Sequence, residues 1–158
     1  IVRRLDDVTQ GIIDMEELIS EAQKNLLFMI KKSSAKIIMP QKFPKAIGYA
    51  PWIEEVWVNY MSNAIKYGGR PPRIELGAEL VDKKVCFWVQ DNGAGLTGED
   101  QDRLFVPFTS HGRIDEASHG LGLSIVQRIV EKLGGQAGVT SDGVAGAGSR
   151  FWFTLPAV

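Results

Sequence analysis

Several residue types are scarce in this sequence, and each shortage excludes a class of protein. The single cysteine, Cys86, excludes a disulfide framework and indicates a reducing, cytoplasmic setting for the domain. No apolar run approaches the ~20 residues that a membrane-spanning helix needs, so we expect no membrane contact. The net charge of −1 at pH 7 gives no reason to expect nucleic acid as a partner.

The residues that are present suffice for one ordinary domain. The chain has 158 residues, of which 44% are hydrophobic, and this is enough to enclose a core. Residues 1–10 have apolar positions at helical spacing, and the chain does not begin with methionine. We therefore interpret residues 1–10 as the end of a helix that begins outside this sequence, and residues 11–158 as the domain itself.

The hydrophobic pattern predicts a chain in which strands outnumber helices and come partly in hairpins. Asp14, with Glu17 three residues later, is a typical helix N-cap. The predicted helices are 15–32, 51–67 and 121–133. The predicted strands are 11–14, 35–40, a short strand near 47, 73–81, 85–90, 136–141 and 149–155. This order predicts a mixed sheet with helices on one face.

The predicted helix 51–67 presents two different faces at about 100° per residue. One face is an apolar stripe typical of a core and consists of Ile53, Trp57, Tyr60, Met61 and Ala64. The neighbouring arc is polar and consists of Glu55, Asn59, Asn63, Lys66 and Tyr67. Asparagine is a mediocre helix former because its amide competes for backbone groups. The arc is therefore either a solvated face or part of a ligand site.

The segment DNGAG follows the predicted strand 85–90 and has two interpretations. Asp91 at a strand end, followed by glycines, can place a carboxylate beside a flat ligand while the backbone comes close. Alternatively, Asn92–Gly93 forms a type I′ turn. The later segment LFVPF has Phe105 and Phe108 around a proline, which form either a hydrophobic hinge or part of the core.

The segment GLGLSIV ends a long predicted loop, residues 91–120 with one helical turn near 100–104, and opens a helix with two glycines. A loop of this length inside one domain is typical of a functional lid. The N-terminus of a helix offers free amides and a partial positive charge, which suit phosphate. The motif is no dinucleotide fingerprint, because Ile125 stands where a third glycine is required, and the chain has no Gly-Lys-Ser/Thr P-loop.

Taken in order, these segments resemble the catalytic ATP-binding domain of sensor histidine kinases, in the GHKL superfamily shared with DNA gyrase, MutL and heat-shock chaperones. NYMSNAIKY resembles the N box, DNGAG the G1 box, LFVPF the F box and GLGLSIV the G2 box, while GAGSRFWFTLP resembles the closing strand. The match covers nearly the whole chain. It implies an α/β (α+β) two-layer sandwich, in which a mixed, largely antiparallel sheet has helices packed on one face.

The resemblance also implies a function in two-component signal transduction. Such a domain binds Mg-ATP between its helices, under a lid that corresponds to about residues 96–119. It transfers the γ-phosphoryl group to a histidine on a separate dimerisation domain and leaves ADP, and a response-regulator receiver domain acts downstream. This chemistry depends on positioning and electrostatics more than on covalent catalysis.

The same resemblance assigns roles to individual residues. Asn59, Asn63 and Lys66 are the implied catalytic residues: the two amides hold Mg²⁺, directly or through water, and Lys66 contacts phosphate. Asp91 accepts a hydrogen bond from the adenine amino group, and Tyr67 lies beside the adenine ring. The implied nucleotide contacts are Asn63, Lys66, Tyr67, Asp91, Gly93, Gly95, Phe105, Gly120, Leu121, Gly122 and Leu123.

Two departures from the family pattern affect these expectations. The phosphoacceptor of the family is a histidine followed by an acidic residue, whereas His111 and His119 lie in the implied lid without that context. We therefore expect the isolated chain to bind Mg-ATP and not to phosphorylate itself. We also expect it to be mostly monomeric, because the family dimerises through helices that are not part of this sequence. Ser118–His119 stand where the family has Gly-Thr, which affects the geometry at the end of the lid.

Other functions are alternatives to a kinase. An ATP-hydrolysing member of the superfamily uses a glutamate where this chain has Asn59, and an amide cannot act as a general base. A degenerate nucleotide-binding scaffold and an anti-sigma-type protein kinase are further alternatives with the same fold. The simplest alternative, in which the glycines are turns and the asparagines are surface residues, explains each segment but not their order.

Overall fold

The computed structural model describes residues 9–105 and 114–158, apart from the side chains of residues 114–122. Most of the predicted helix end at 1–10, as well as Phe108 and His111, lies outside the described residues. In chain order the elements are β1 Gly11–Ile13, α1 Met15–Asn25, α2 Leu27–Ser33, β2 Lys36–Ile38, β3 Ala46–Gly48, α3 Ala50–Tyr67, β4 Arg73–Val81, β5 Lys84–Gln90, α4 Gly98–Leu104, α5 Ile114–Lys132, β6 Ala137–Thr140 and β7 Arg150–Pro156.

The main sheet has five strands in the order β2-β4-β5-β7-β6. β2 pairs with β4 in parallel, and the pairings of β4 with β5, β5 with β7 and β6 with β7 are antiparallel. β1 and β3 form a separate antiparallel pair. Both predicted hairpins, β4–β5 and β6–β7, are therefore present. The predicted fold class, an α/β sandwich with a mixed, largely antiparallel sheet, is confirmed.

α3 packs against the buried face of this sheet and supplies the centre of the core. Its predicted apolar stripe is confirmed, since every member is buried. Trp57 and Phe153 pack edge to face with ring centroids 5.2 Å apart. The Tyr60 hydroxyl donates a hydrogen bond to the carbonyl oxygen of Trp152 at 2.9 Å. Because the stripe is held in the core, the neighbouring polar arc of α3 has a fixed direction.

The helix predicted at 15–32 is in fact two helices. Asp14 caps α1 as predicted, because its carboxylate accepts a hydrogen bond from the amide of Glu17 at 3.3 Å. The chain then turns at Leu26, with φ −103° and ψ 10°, and continues as α2. Leu26 stays buried at the break, whereas Phe28 is exposed. The apolar pattern continues through the break, so periodicity alone does not reveal it.

α5 begins at Ile114, although the sequence pattern predicted a loop to Gly120 and a helix from Leu121. Gly120 and Gly122 therefore lie inside a helix, and the prediction that they stand at its N-terminus is wrong. The prediction treated the two glycines as a start signal. A glycine inside a helix costs only about 1 kcal/mol relative to alanine, so two of them do not prevent the helix from beginning earlier.

The shorter predicted elements are confirmed. β1, β2 and β3 correspond to the short strands predicted near 11–14, 35–40 and 47, and α4 to the helical turn near 100–104. Thr97 caps α4 by accepting a hydrogen bond from the amide of Asp100 at 3.1 Å. Of the helices that the structure describes, none combines the length and the hydropathy needed to cross a membrane.

The outer face of the sheet, opposite the helices, carries two tryptophan rings that lie over glycines. Gly77 is paired in register with Trp88, and Gly138 with Trp152. A Cβ atom added to Gly77 would lie 2.4 Å from Cζ2 of Trp88, and one added to Gly138 would lie 2.5 Å from Cζ2 of Trp152. The Arg150 guanidinium lies 4.4 Å from the centre of the Trp88 ring. The two rings therefore cover part of this face.

Candidate functional site

The segment DNGAG lies against the C-terminal end of α3. A Cβ atom added to Gly93 would lie 1.9 Å from the carbonyl oxygen of Tyr67, so only glycine allows this approach. Asn92 holds the loop after α3, because its Oδ1 accepts hydrogen bonds from the amides of Gly69 at 2.8 Å and Arg73 at 2.9 Å. The polar arc of α3 and the DNGAG segment are therefore neighbours, as a shared ligand site requires.

The alternative of a type I′ turn at Asn92–Gly93 is wrong. Such a turn needs a positive φ at both central residues, and within DNGAG only Gly95 has one, at 83°. The hydrogen bonds of Asn92 were not predicted from the sequence. The signal that could have indicated them is the residue type, since asparagine side chains commonly bond backbone groups in irregular segments.

Asp91 is a buried carboxylate directly after β5, with 4% of its surface exposed. Its Oδ1 accepts two hydrogen bonds, from the amide of Gly93 at 2.9 Å and from the amide of Ser149 at 3.1 Å. Among the described residues, no donor bonds to its Oδ2. Burial raises the pKa of this carboxyl, and the two amide hydrogen bonds partly oppose that rise. One oxygen is thus fixed by the fold, and the other is left for a ligand.

The four predicted site residues of α3 differ in exposure along the arc. The amide of Asn63 is buried, with 5% exposed, whereas Lys66 is exposed and Tyr67 is 47% exposed. Asn59 is half-buried, and its Nδ2 donates hydrogen bonds to the backbone oxygen of Glu55 at 2.8 Å and to the Glu55 carboxylate at 3.2 Å. A buried amide, an exposed cation and a half-exposed aromatic ring on one arc suit a ligand with an anionic end that faces solvent.

The glycine-rich turn between β6 and β7 supports DNGAG from behind. The amides of Gly146 and Gly148 both donate to the carbonyl oxygen of Gly93, at 2.9 and 3.1 Å. The amide of Asp91 donates to the carbonyl oxygen of Ser149 at 3.0 Å. The segment GAGSRFWFTLP therefore does more than close the sheet, because its first residues determine where Asp91 lies.

The remaining predicted site residues lie farther along the chain. Phe105 is the C-cap of α4 and packs, half-buried, against the core. Leu123 is 1% exposed, and its side chain is part of the core. Gly120, Leu121 and Gly122 belong to α5, and the side chain of Leu121 lies outside the described ones. The structure thus brings the α3 arc and DNGAG together.

Comparison with known families identifies the domain. A family model described as "Histidine kinase-, DNA gyrase B-, and HSP90-like ATPase" matches residues 48–158, which include α3, DNGAG and the glycine-rich turn. The chain belongs to this family. Membership of the histidine kinase/gyrase-like ATPase family implies that the domain binds ATP, and it confirms the resemblance found in the sequence.

Relatives of this ATPase-family domain include sensor kinases. The chain is 32% identical to the phytochrome-like protein Cph1 of Synechocystis sp. over 145 residues, which are 90% of this chain and 19% of that protein. It is 33% identical to the adaptive-response sensory kinase SasA of Crocosphaera subtropica over 156 residues, 94% of this chain and 40% of that protein. The chain therefore spans about a fifth of the length of Cph1 and two fifths of SasA.

Solved structures share the fold of this ATPase-family domain. The catalytic domain of the histidine kinase ThkA superposes with a TM-score of 0.78 at 24% identity, covering 95% of this chain and 97% of that one. Full-length ShkA in complex with AMPPNP superposes with a TM-score of 0.79 at 24% identity, covering 96% of this chain and 32% of that one. Both comparisons confirm the predicted α/β sandwich.

Proposed function

We propose that this domain is the catalytic ATP-binding part of a sensor histidine kinase, which transfers the γ-phosphoryl group of ATP to a histidine on a separate dimerisation domain. The observation that carries the proposal is the Asp91 carboxylate. It is buried, its Oδ1 is fixed by two amides, and its Oδ2 has no donor within the described residues. The kinship with sensory kinases such as SasA supports a kinase over other members of the family.

The base end of the nucleotide binds at Asp91. The adenine amino group donates a hydrogen bond to Oδ2, and the charge of the carboxylate makes this bond stronger than one between neutral groups. Gly93 and Gly95 let the base approach the backbone, and the Tyr67 ring lies beside it at the end of α3. Because Asp91 is buried, a nucleobase without a donor at this position leaves the carboxylate unpaired, and this disfavours its binding.

The phosphate end of the nucleotide binds along the α3 arc. Amide oxygens of Asn59 and Asn63 suit Mg²⁺, which prefers oxygen ligands and usually combines one or two protein groups with substrate phosphates. The described residues contain no cluster of three or more acidic, histidine or cysteine side chains that could hold a metal alone. When bound with ATP, the ion would neutralise part of the negative charge of the phosphates. Lys66, exposed at the end of α3, pairs with the phosphates.

The proposal includes the organisation of the chain and its partners. In this proposal residues 1–10 belong to the dimerisation domain, residues 11–158 to the catalytic domain, and residues 96–119 to its lid. The domain works in the cytoplasm. A response-regulator receiver domain takes the phosphoryl group downstream, and the related kinase ThkA has been crystallised with the response regulator TrrA.

The isolated 158-residue chain is expected to bind Mg-ATP and to acquire no label from γ-labelled ATP, because its two histidines lack the context of a phosphoacceptor. The full-length parent protein is expected to become labelled on a histidine outside these residues, as an acid-labile phosphate. Mass spectrometry of the labelled protein locates the modified residue. Efficient labelling of the isolated chain, or a parent protein that binds ATP and is never labelled, would contradict the kinase proposal.

Asn63→Ala is expected to remove the Mg²⁺ dependence of ATP binding, because it deletes the buried amide proposed to hold the ion. Calorimetric titration with ATP, once with Mg²⁺ and once with a chelator, measures this dependence. Wild type should bind several-fold more tightly with Mg²⁺, whereas the variant should bind with nearly the same affinity in both conditions. Asn25→Ala, at an exposed asparagine outside the site, is the control. An Asn63→Ala domain that keeps the full Mg²⁺ enhancement would show that the ion is held elsewhere.

A further inference from the structure

The hydroxyl group of Ser141, directly after β6, joins two segments that are far apart in the sequence. Its oxygen accepts hydrogen bonds from the amides of Leu96 at 2.9 Å and Gly143 at 3.2 Å, and the hydroxyl donates to the carbonyl oxygen of Gly148 at 2.9 Å. A serine hydroxyl has one donor and two acceptor sites, so all three are occupied. Leu96 directly follows DNGAG, and Gly143 and Gly148 belong to the glycine-rich turn between β6 and β7.

Two further contacts hold the same junction. A Cβ atom added to Gly95 would lie 2.9 Å from the Oγ of Ser141 and 3.1 Å from the Cα of Gly143, so the end of DNGAG lies directly on the turn. In addition, the Nε2 of Gln101 donates hydrogen bonds to the carbonyl oxygen of Leu96 at 3.1 Å and to that of Ser141 at 2.9 Å. Leu96 and Ser141 are therefore bonded to each other and also bridged by a third residue.

The two segments that Ser141 joins are the ones that hold the Asp91 carboxylate. The Oδ1 of Asp91 accepts one hydrogen bond from the amide of Gly93, within DNGAG, and one from the amide of Ser149, the residue after Gly148. Because the carboxylate is held through this one oxygen by both segments, a change in their separation changes the direction of Oδ2. Ser141 thus acts on Asp91 through the backbone, without a hydrogen bond to it.

We propose that Ser141 is a positioning residue for nucleotide binding, whose hydroxyl keeps DNGAG and the glycine-rich turn at the separation that directs the Oδ2 of Asp91 towards the adenine amino group. The inference rests on the proposed function, because it assumes that the base binds at Asp91. Without the hydroxyl, the amide of Leu96 and the carbonyl oxygen of Gly148 lose their common partner, and the two segments can move apart. Ser141 therefore determines how well Asp91 distinguishes a base with an amino group from one without.

Two variants of the same shape test the inference. Ser141→Thr keeps a hydroxyl group, whereas Ser141→Val has a methyl group in its place, so the effect of the added carbon is common to both. Competition titrations with Mg²⁺ measure the affinity of each variant for ATP and for purine riboside triphosphate, which lacks the 6-amino group. The ratio of the two affinities reports the hydrogen bond from the base to Asp91. A residue that only stabilises the fold would leave this ratio unchanged.

Ser141→Val is expected to bind ATP about tenfold more weakly than Ser141→Thr, as for a weakened hydrogen bond to a charged group. Its affinity for purine riboside triphosphate should stay within about twofold. Ser141→Ala, which adds no atom, should lose the preference for ATP as Ser141→Val does, whereas Ser141→Thr should keep the preference of wild type. Thr154→Val is the control, because the Thr154 hydroxyl also accepts a backbone amide, that of Gln136 at 3.0 Å, but lies towards the end of β7, away from Ser149. It should keep the wild-type ratio.

The possible results separate this inference from the proposed function. Equal affinity ratios in Ser141→Thr and Ser141→Val, or a wild-type ratio in a folded Ser141→Ala, would overturn the inference and leave the proposed function intact. A folded wild type that binds ATP and its analogue equally would show that Asp91 does not bind the amino group, and the inference would fail with that contact. A folded wild type that binds neither ligand would overturn the proposed function itself. Thermal unfolding of each variant shows that folded proteins are compared.

Discussion

Asp91→Asn is expected to weaken ATP binding by about 100-fold or more while the domain stays folded. Asparagine keeps an oxygen that can accept from the amides of Gly93 and Ser149, so the local hydrogen bonds of the fold survive. The side-chain NH₂ group then stands where Oδ2 was. The new NH₂ group and the adenine amino group are both donors, so they cannot bond to each other. The hydrogen bond between adenine and the charged carboxylate is therefore lost, and no other bond replaces it.

The stability of the Asp91→Asn domain separates loss of binding from loss of fold. Burial raises the pKa of the Asp91 carboxyl above its value in the unfolded chain. Such a group stabilises the folded state below its unfolded pKa, and this contribution is lost as the pH rises through the folded pKa. At neutral pH the buried carboxylate therefore adds no stability through its ionisation. An uncharged asparagine should leave the free energy of unfolding equal to that of wild type or higher.

Nucleotide selectivity gives the Asp91→Asn experiment an internal control. Guanine has a carbonyl oxygen where adenine has its amino group, and the new NH₂ group can donate to it. The ratio of ATP affinity to GTP affinity, measured by titration of both nucleotides, is expected to fall sharply. A folded variant that still binds ATP with wild-type affinity would show that the base does not bind at Asp91.

Gly93→Ala is expected to abolish ATP binding and to destabilise the domain by roughly 2–3 kcal/mol, within the range for overpacked sites. The added Cβ would lie 1.9 Å from the carbonyl oxygen and 3.0 Å from the carbonyl carbon of Tyr67. Both are backbone atoms, so no rotamer change relieves the overlap. Either DNGAG moves away from α3 or the last turn of α3 unwinds, and both changes disrupt the junction between DNGAG and the end of α3.

Gly98→Ala is the matched control for Gly93→Ala. A Cβ added to Gly98 meets no atom within 4 Å, and the residue is the first of α4. The same chemical change should leave both ATP affinity and stability near wild type. Denaturant unfolding and ATP titration of the two variants measure the difference. If Gly93→Ala binds ATP as well as Gly98→Ala does, the contact between DNGAG and α3 is not required for the site.

Much of the fold and of the α3 site could be predicted because both depend on local periodicity. A stripe that repeats every three or four residues must face the core, and the residues beside it must then face the same side of the helix. This is why Trp57 and Tyr60 could be assigned to the core and Asn63 to a neighbouring arc. The hairpin β4–β5 followed in the same way from alternation around a turn.

The rest of the site depends on contacts between distant segments. The Oδ1 of Asp91 accepts a hydrogen bond from the amide of Ser149, 58 residues away, and the Nε2 of Gln101 donates to the carbonyl oxygen of Ser141, 40 residues away. Periodicity carries no information about such pairs. The break at Leu26 was hidden for a related reason, because the buried leucine continues the apolar stripe while the backbone turns. At α5 the prediction took the glycines of GLGLSIV as the start of the helix. Each glycine in fact costs a helix only about 1 kcal/mol relative to alanine, so the helix can begin earlier.

The placement of the four tryptophans allows the folding of the domain to be followed by its intrinsic fluorescence. Trp57 lies in the core, Trp52 packs against Tyr49, and Trp88 and Trp152 lie flat on the outer face over their glycines. None belongs to the proposed nucleotide contacts. Intrinsic fluorescence therefore follows unfolding of the sheet and core without direct quenching by a bound base. A denaturant titration with and without ATP then gives the binding energy as a shift in the midpoint, with no label attached to the chain.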